Sequence, residues 1–183
     1  AMVEQIRRRP EGGRIDRGRP LRFKFDGRPY EGCAGDTLAS ALMANGVDIL
    51  ARSFKYHRPR GVLCAGAEEP NAIVQIHEGA RTEPNVRATM VEVFDGLSAR
   101  SVHAWPNVRV DFLSLFDRLS SLLPAGFYYK TFKWPAAFWP LYESVIRHTA
   151  GLGTVPREGD PDRYDKVYAH CDVLVVGAGP SGL

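Results

Sequence analysis

The sequence predicts an α+β fold: a β-grasp domain, then a helical, aromatic-rich appendage, then the first strand of a truncated Rossmann-type α/β domain. Three observations carry that reading. Two alternating runs flank Asp26-Gly27 and lead into a helical pattern, an aromatic cluster follows at helical spacing, and an apolar run enters a glycine turn at Gly177. The expected boundaries are a flexible basic tail over 1–19, the β-grasp domain over 20–105, a connecting segment over 106–152, a linker over 153–171 and the start of a dinucleotide-binding domain over 172–183.

The elements follow in order. In "LRFKFDGRPYEG", Leu21, Phe23 and Phe25 alternate with polar residues before Asp26-Gly27, and Asp-Gly between two extended runs is a strong hairpin signal. "GDTLASALMANGV" then places Asp36 to cap a helix, Leu38, Ala41 and Leu42 on one face, and Gly46 as a left-handed stop. Two strands followed by a short helix is how a β-grasp domain begins. "AIVQIHEG" (72–79), "ATMVEVFDG" (88–96) and "ARSVHAW" (99–105) are read as its later strands.

The next segment changes in kind. Phe112, Leu115, Phe116, Leu119, Leu122 and Leu123 recur at helical spacing until Pro124 and Gly126. Residues 127–142 hold eight of the nineteen aromatic residues, and a second helix is expected over 139–149, with Pro140 in its first turn and Gly151 past its end. Ordinary core and a docking surface are both open readings of the aromatic run. "GTVPREGDPDRYDK" is a polar linker rich in Pro and Gly.

Composition narrows the function classes. A hydrophobic content of 44% with 25% charged residues is near the average for globular proteins, so a core can form. The net charge of +3 is small, and it comes from residues 1–22, where seven Arg face three acids, while the remainder is slightly acidic. No aromatics are interleaved there for base stacking, which argues against a nucleic-acid arm. No run is long and apolar enough for a membrane span, and no apolar stretch follows the N-terminal arginines as a signal peptide needs. Cys33, Cys64 and Cys171 are too few and too scattered for a disulfide framework, which points to a reducing cytoplasm.

The sharpest motif is "VLVVGAGPSGL", with Gly177, Gly179 and Gly182 in G-x-G-x-x-G spacing directly after an apolar run. The first glycine permits the turn, and the second lets a pyrophosphate approach the backbone. The third lets a helix pack close, with its N-terminal N–H groups toward the anion. These three are the candidate cofactor-binding residues, for NAD or FAD. The acidic residue that would engage a ribose falls beyond Leu183, so the two ligands are not separated. No residue is read as catalytic and none as a metal ligand.

The loop "ARSFKYHRPRGVLCAGAEEPNAIVQI" stands where a two-iron ferredoxin of β-grasp type wraps its cluster. Such a cluster needs four thiolates, three of them closely spaced. This loop offers Cys64 alone, beside the hard carboxylates of Glu68 and Glu69, so no iron–sulfur cluster is expected. Lys55, His57, Arg58 and Arg60 are read as a basic loop able to meet a flavin phosphate or an acidic partner. No carboxylate or nucleophile is placed beside His57 by sequence.

"SFKYHRPRG" (53–61), "AGAEEPNA" (65–72), "PAGFYYKTFKWP" (124–135) and "DVLVVGAGPSGL" (172–183), in that order, closely resemble the alpha subunits of heterotetrameric sarcosine oxidases. The resemblance implies the N-terminal, structural part of such a subunit, inactive alone, in a complex with a flavin-bearing beta subunit. It further implies FAD, FMN, NAD and tetrahydrofolate in the parent, which demethylates sarcosine oxidatively and forms hydrogen peroxide. Related opine-type dehydrogenases and hydrogen cyanide synthase share the architecture, and some keep the cluster cysteines. A stand-alone electron-transfer module and a non-enzymatic β-grasp interaction module are the competing readings.

Overall fold

The computed structural model describes residues 5–118, 135–151 and 153–177. Strands β1 (Asp16–Phe25) and β2 (Arg28–Ala34) form the expected hairpin. Asp26 and Gly27 have φ of 49° and 74°, the paired positive values of the tight turn that Asp-Gly favours. The Asp26 carboxylate accepts from the Ser101 N–H at 2.7 Å and from its hydroxyl, tying the turn to a distant strand.

Helix α1 (Leu38–Ala44) follows, but its cap is Thr37 rather than Asp36. Extended Thr37 turns its hydroxyl to accept from the Ser40 N–H. Asp36 is instead buried, accepting from the Cys33 N–H at 2.8 Å and the Ser40 hydroxyl at 2.8 Å, and pairing with Arg8 at 2.6 Å. Within the basic stretch read as a tail, Arg8 is thus bonded to the domain, and β1 begins at Asp16. Gly46, with φ of 77°, ends the helix as expected.

A single mixed sheet runs β2-β1-β7-β5-β6, with β5 (Ile73–Ile76), β6 (Glu83–Arg87) and β7 (Ser98–Ser101). β1 and β7 are parallel and the other neighbours antiparallel. The strand expected over 88–96 is not in this sheet. Its backbone is engaged by α1: Leu38 N–H donates to Val91, Ala39 N–H donates to Ala88, and Val93 N–H donates to Asp36. Helix N-termini carry orphan N–H groups, and this segment accepts two of them. The alternation of Val91 and Val93 toward the core is real, but it faces the helix. The strand lies just before, at Glu83–Arg87.

Phe23 and Phe25 from β1, Leu38 and Leu42 from α1, Val74 from β5, and Leu50, Val93 and Leu97 from the connections form one buried cluster. Helix across a mixed sheet with these neighbours is a ferredoxin-like β-grasp arrangement. A second, two-stranded ribbon, β3 (Ala51–Arg52) with β4 (Pro59–Arg60), stands beside it.

Helix α2 (Leu115–Arg118) is the first turn of the helix expected after Asp111; the rest of that expectation lies outside the described residues. Helix α3 (Trp139–Ala150) matches the predicted second helix, and Gly151 follows with φ of 64°. A side chain there would put a Cβ 2.7 Å from Cα of His103, whose N–H donates to the Gly151 carbonyl at 2.9 Å. Glycine is therefore what lets the chain after α3 lie against the β-grasp domain. Residues 172–177 pair with no strand among the described residues, and Val173–Val176 are exposed.

Candidate functional site

The residues that sequence reading singled out in the 53–61 loop converge on one cleft. The β3–β4 ribbon is closed by a backbone bond from the Ser53 N–H to the Arg58 carbonyl at 2.9 Å, and by the Ser53 hydroxyl, which accepts from the Arg58 N–H at 3.0 Å. His57 sits in this turn with φ of 55°, and its N–H donates to the Ser53 carbonyl. The turn presents Lys55, Tyr56 and Arg58 on the rim of a cleft of about 340 Å³, whose wall also carries Arg52, Arg60 and His103. Lys55 Nζ lies 4.8 Å and the Arg58 guanidinium 5.0 Å from the Tyr56 ring, so the aromatic face gathers both cations.

Beneath the cleft is a cluster the sequence did not reveal. The imidazole of His57 is fully buried, with Nδ1 2.9 Å from Oδ2 of Asp111. Arg52 approaches the same oxygen at 3.5 Å and donates to the carbonyls of Val108 (2.9 Å) and His57 (2.8 Å). Oδ1 of Asp111 accepts from the Trp105 N–H at 3.0 Å and the Leu113 N–H at 3.1 Å. A carboxylate does therefore stand beside His57, supplied from 54 residues away. No local signal could have placed it. Both side chains are sealed from solvent, and the pair fastens the ribbon to the 105–113 loop.

His103 on the cleft wall is held below the ordinary histidine range, first by burial and then by the nearby His57. A bond to the Arg52 backbone opposes this only in part. Its Nε2 is buried with no hydrogen-bond partner among the described residues.

The other named positions do not join the cleft chemistry in the same way. Cys64 is half-buried in the loop between β4 and β5, Cys33 is buried in β2, and Cys171 is exposed in the linker. Glu69 is fully buried and accepts four backbone N–H bonds from its own loop. Of the glycine motif, Gly177 is described, with φ of 114° and no atom of the described residues within 4 Å of where a Cβ would stand; Gly179 and Gly182 lie outside the described residues.

Residues 18–104 match the family described as "2Fe-2S iron-sulfur cluster binding domain". The cleft and the buried carboxylate both lie in or beside that span. The donor set does not fit a cluster: four cysteine ligands are required, and the whole chain has three cysteines in separate settings. Among the described residues, no group of three His, Cys, Asp or Glu is placed to hold a metal ion.

Relatives extend the comparison beyond this domain. The chain is 60% identical over 177 residues, or 96% of its length, to the sarcosine oxidase subunit alpha of Rhizobium meliloti (strain 1021). It is 34% identical over 94% of its length to the corresponding subunit of Corynebacterium sp. (strain U-96). It spans 18% and 13% of those proteins. The solved L-proline dehydrogenase from P. horikoshii aligns with 47% of this chain and 16% of its own, at 26% identity and a TM-score of 0.36, too low for a fold argument. The cluster-binding domain match thus covers just under half of the chain, and over nearly all of its length the chain is similar to sarcosine oxidase alpha subunits, of which it spans less than a fifth.

Proposed function

We propose that this chain forms a cluster-free structural and assembly part of a sarcosine-oxidase-type alpha subunit. The observation that carries the reading is the 60% identity over 177 residues to the Rhizobium subunit. The intact complex would oxidise the N-methyl group of sarcosine. With water and dioxygen, sarcosine then gives glycine, formaldehyde and hydrogen peroxide, or the one-carbon unit passes to tetrahydrofolate. The hydride acceptor would be a flavin (FAD or FMN) held by another subunit. Its scattered cysteines support a cytoplasmic setting.

Gly177, Gly179 and Gly182 would open a Rossmann-type domain and face the pyrophosphate of NAD or FAD. The exposed Val173, Leu174, Val175 and Val176 support this, because a central strand of a parallel sheet is apolar on both faces and takes its hydrogen bonds from neighbouring strands. Docking to a flavin-bearing beta subunit would use the aromatic region, where Phe138, Trp139 and Leu141 are exposed at the start of α3. The basic cleft would take an acidic surface. The test is capture of a flavin-bearing beta subunit by the 183-residue chain, against a version lacking 127–142. Retention that falls at least tenfold on deletion is expected. Equal retention would remove the aromatic region from the contact, and no capture by either form would refute the assembly role.

A further inference from the structure

The loop between β4 and β5 is built around a single side chain. Glu69 Oε2 accepts from the N–H of Leu63 at 2.7 Å and of Cys64 at 2.6 Å. Oε1 accepts from Asn71 at 2.7 Å and Ala72 at 3.0 Å. An ionised carboxylate has about four acceptor directions, and here all are used. No cationic side chain pairs with it among the described residues: Arg87 gives its Nε–H to the Glu69 carbonyl oxygen, at 3.1 Å. The charge is thus held by peptide dipoles, as backbone concavities hold anions.

Its surroundings are fixed independently. The Thr89 hydroxyl donates to the Gly66 carbonyl at 2.8 Å, and the Ala88 N–H donates to the Ala72 carbonyl at 2.8 Å. Burial opposes the charge on Glu69, but the four N–H bonds outweigh it, and the carboxyl is held below its ordinary range. An iron–sulfur cluster is itself an anion that accepts hydrogen bonds at its sulfurs. Here the N–H groups of the 61–72 loop converge on a carboxylate that the chain supplies.

Resting on the cluster-free reading above, we infer that Glu69 is a built-in anion that organises the 61–72 loop in place of a metal cluster, so that the domain folds without iron. Glutamine at this position keeps the shape but offers one oxygen and one NH2 group. Whichever way the amide faces, two N–H donors lose their acceptor. Alanine leaves all four donors facing a carboxylate-sized space.

The test is amide hydrogen exchange on the full chain, produced in iron-replete and in chelator-treated medium. Protection at Leu63, Cys64, Asn71 and Ala72 is expected to be equal in both. Glu69→Gln is expected to lower protection at those amides by roughly tenfold or more, with Val74 and Ile76 in the sheet unchanged. For Glu69→Ala, formate is expected to raise the unfolding midpoint more than chloride at equal ionic strength, with no such preference in the parent chain. Loop amides that ignore Glu69→Gln, or an alanine variant that formate does not help, would overturn the inference alone. A coloured, iron-bound chain that loses its iron on Cys64→Ser would overturn the cluster-free reading, and this inference with it.

Discussion

Asp111→Ala should separate the β3–β4 ribbon from the rest of the domain. Its carboxylate is sealed from solvent, and it is the acceptor for two backbone N–H groups, with His57 Nδ1 at 2.9 Å and Arg52 at 3.5 Å. Removing one partner from a buried charged cluster costs about 3–5 kcal/mol. Arg52 keeps its bonds to the carbonyls of Val108 and His57, so the lower end of that range applies. For a chain of this size about 3 kcal/mol corresponds to a fall of roughly 6–12 °C in Tm. Urea and thermal unfolding followed by circular dichroism would read it. Asp111→Asn retains one oxygen for the Trp105 and Leu113 N–H groups and should lose about half as much. A loss below about 1 kcal/mol for Asp111→Ala would refute the reasoning, because the buried partners would then have found other acceptors.

Two further outcomes follow from the same structure. Leu38→Ala empties a fully buried site between α1 and the sheet and should cost about 3 kcal/mol in urea unfolding. His103 titrates below the ordinary value in the folded chain, so the unfolded chain takes the proton first and stability falls as pH drops below about 6.5. Comparing unfolding midpoints at pH 8 and pH 5.5 should show a smaller fall in His103→Gln than in the parent; equal falls would rule His103 out as the source.

Much of the fold was legible because it is coded by neighbours in sequence. Asp26-Gly27 names its turn, Gly46 its helix stop, and Trp139–Ala150 its helix through Pro140 and Gly151. The misassignments have a common cause. Thr37 rather than Asp36 caps α1 because Arg8 and the Cys33 N–H claim the Asp36 carboxylate. Residues 88–96 alternate like a strand, yet Val91 and Val93 in their middle are bonded to Leu38 at the start of α1 and to Asp36 before it rather than to a strand of the sheet. In both places local propensity was right about the residue type, and a distant partner decided its use.

The same division holds at the site. Glu69 accepts from Asn71 and Ala72, two and three residues on, which is a local pattern a side-chain turn could have suggested. Its other two donors precede it and become available only when the loop folds back. The basic character of the 53–61 loop was plain from Lys55, His57, Arg58 and Arg60. That Lys55, Arg58 and Arg60 border one cleft, above a His57–Asp111 pair, was not. The sequence alone determined the α+β class, the hairpin, the glycine stops after the helices and the lack of four cysteines, since each depends on composition or on residues a few positions apart. Tertiary structure alone decided which carboxylates are buried and what they hold: their partners come from elsewhere in the chain, and a charge survives burial only where folding brings enough donors to it.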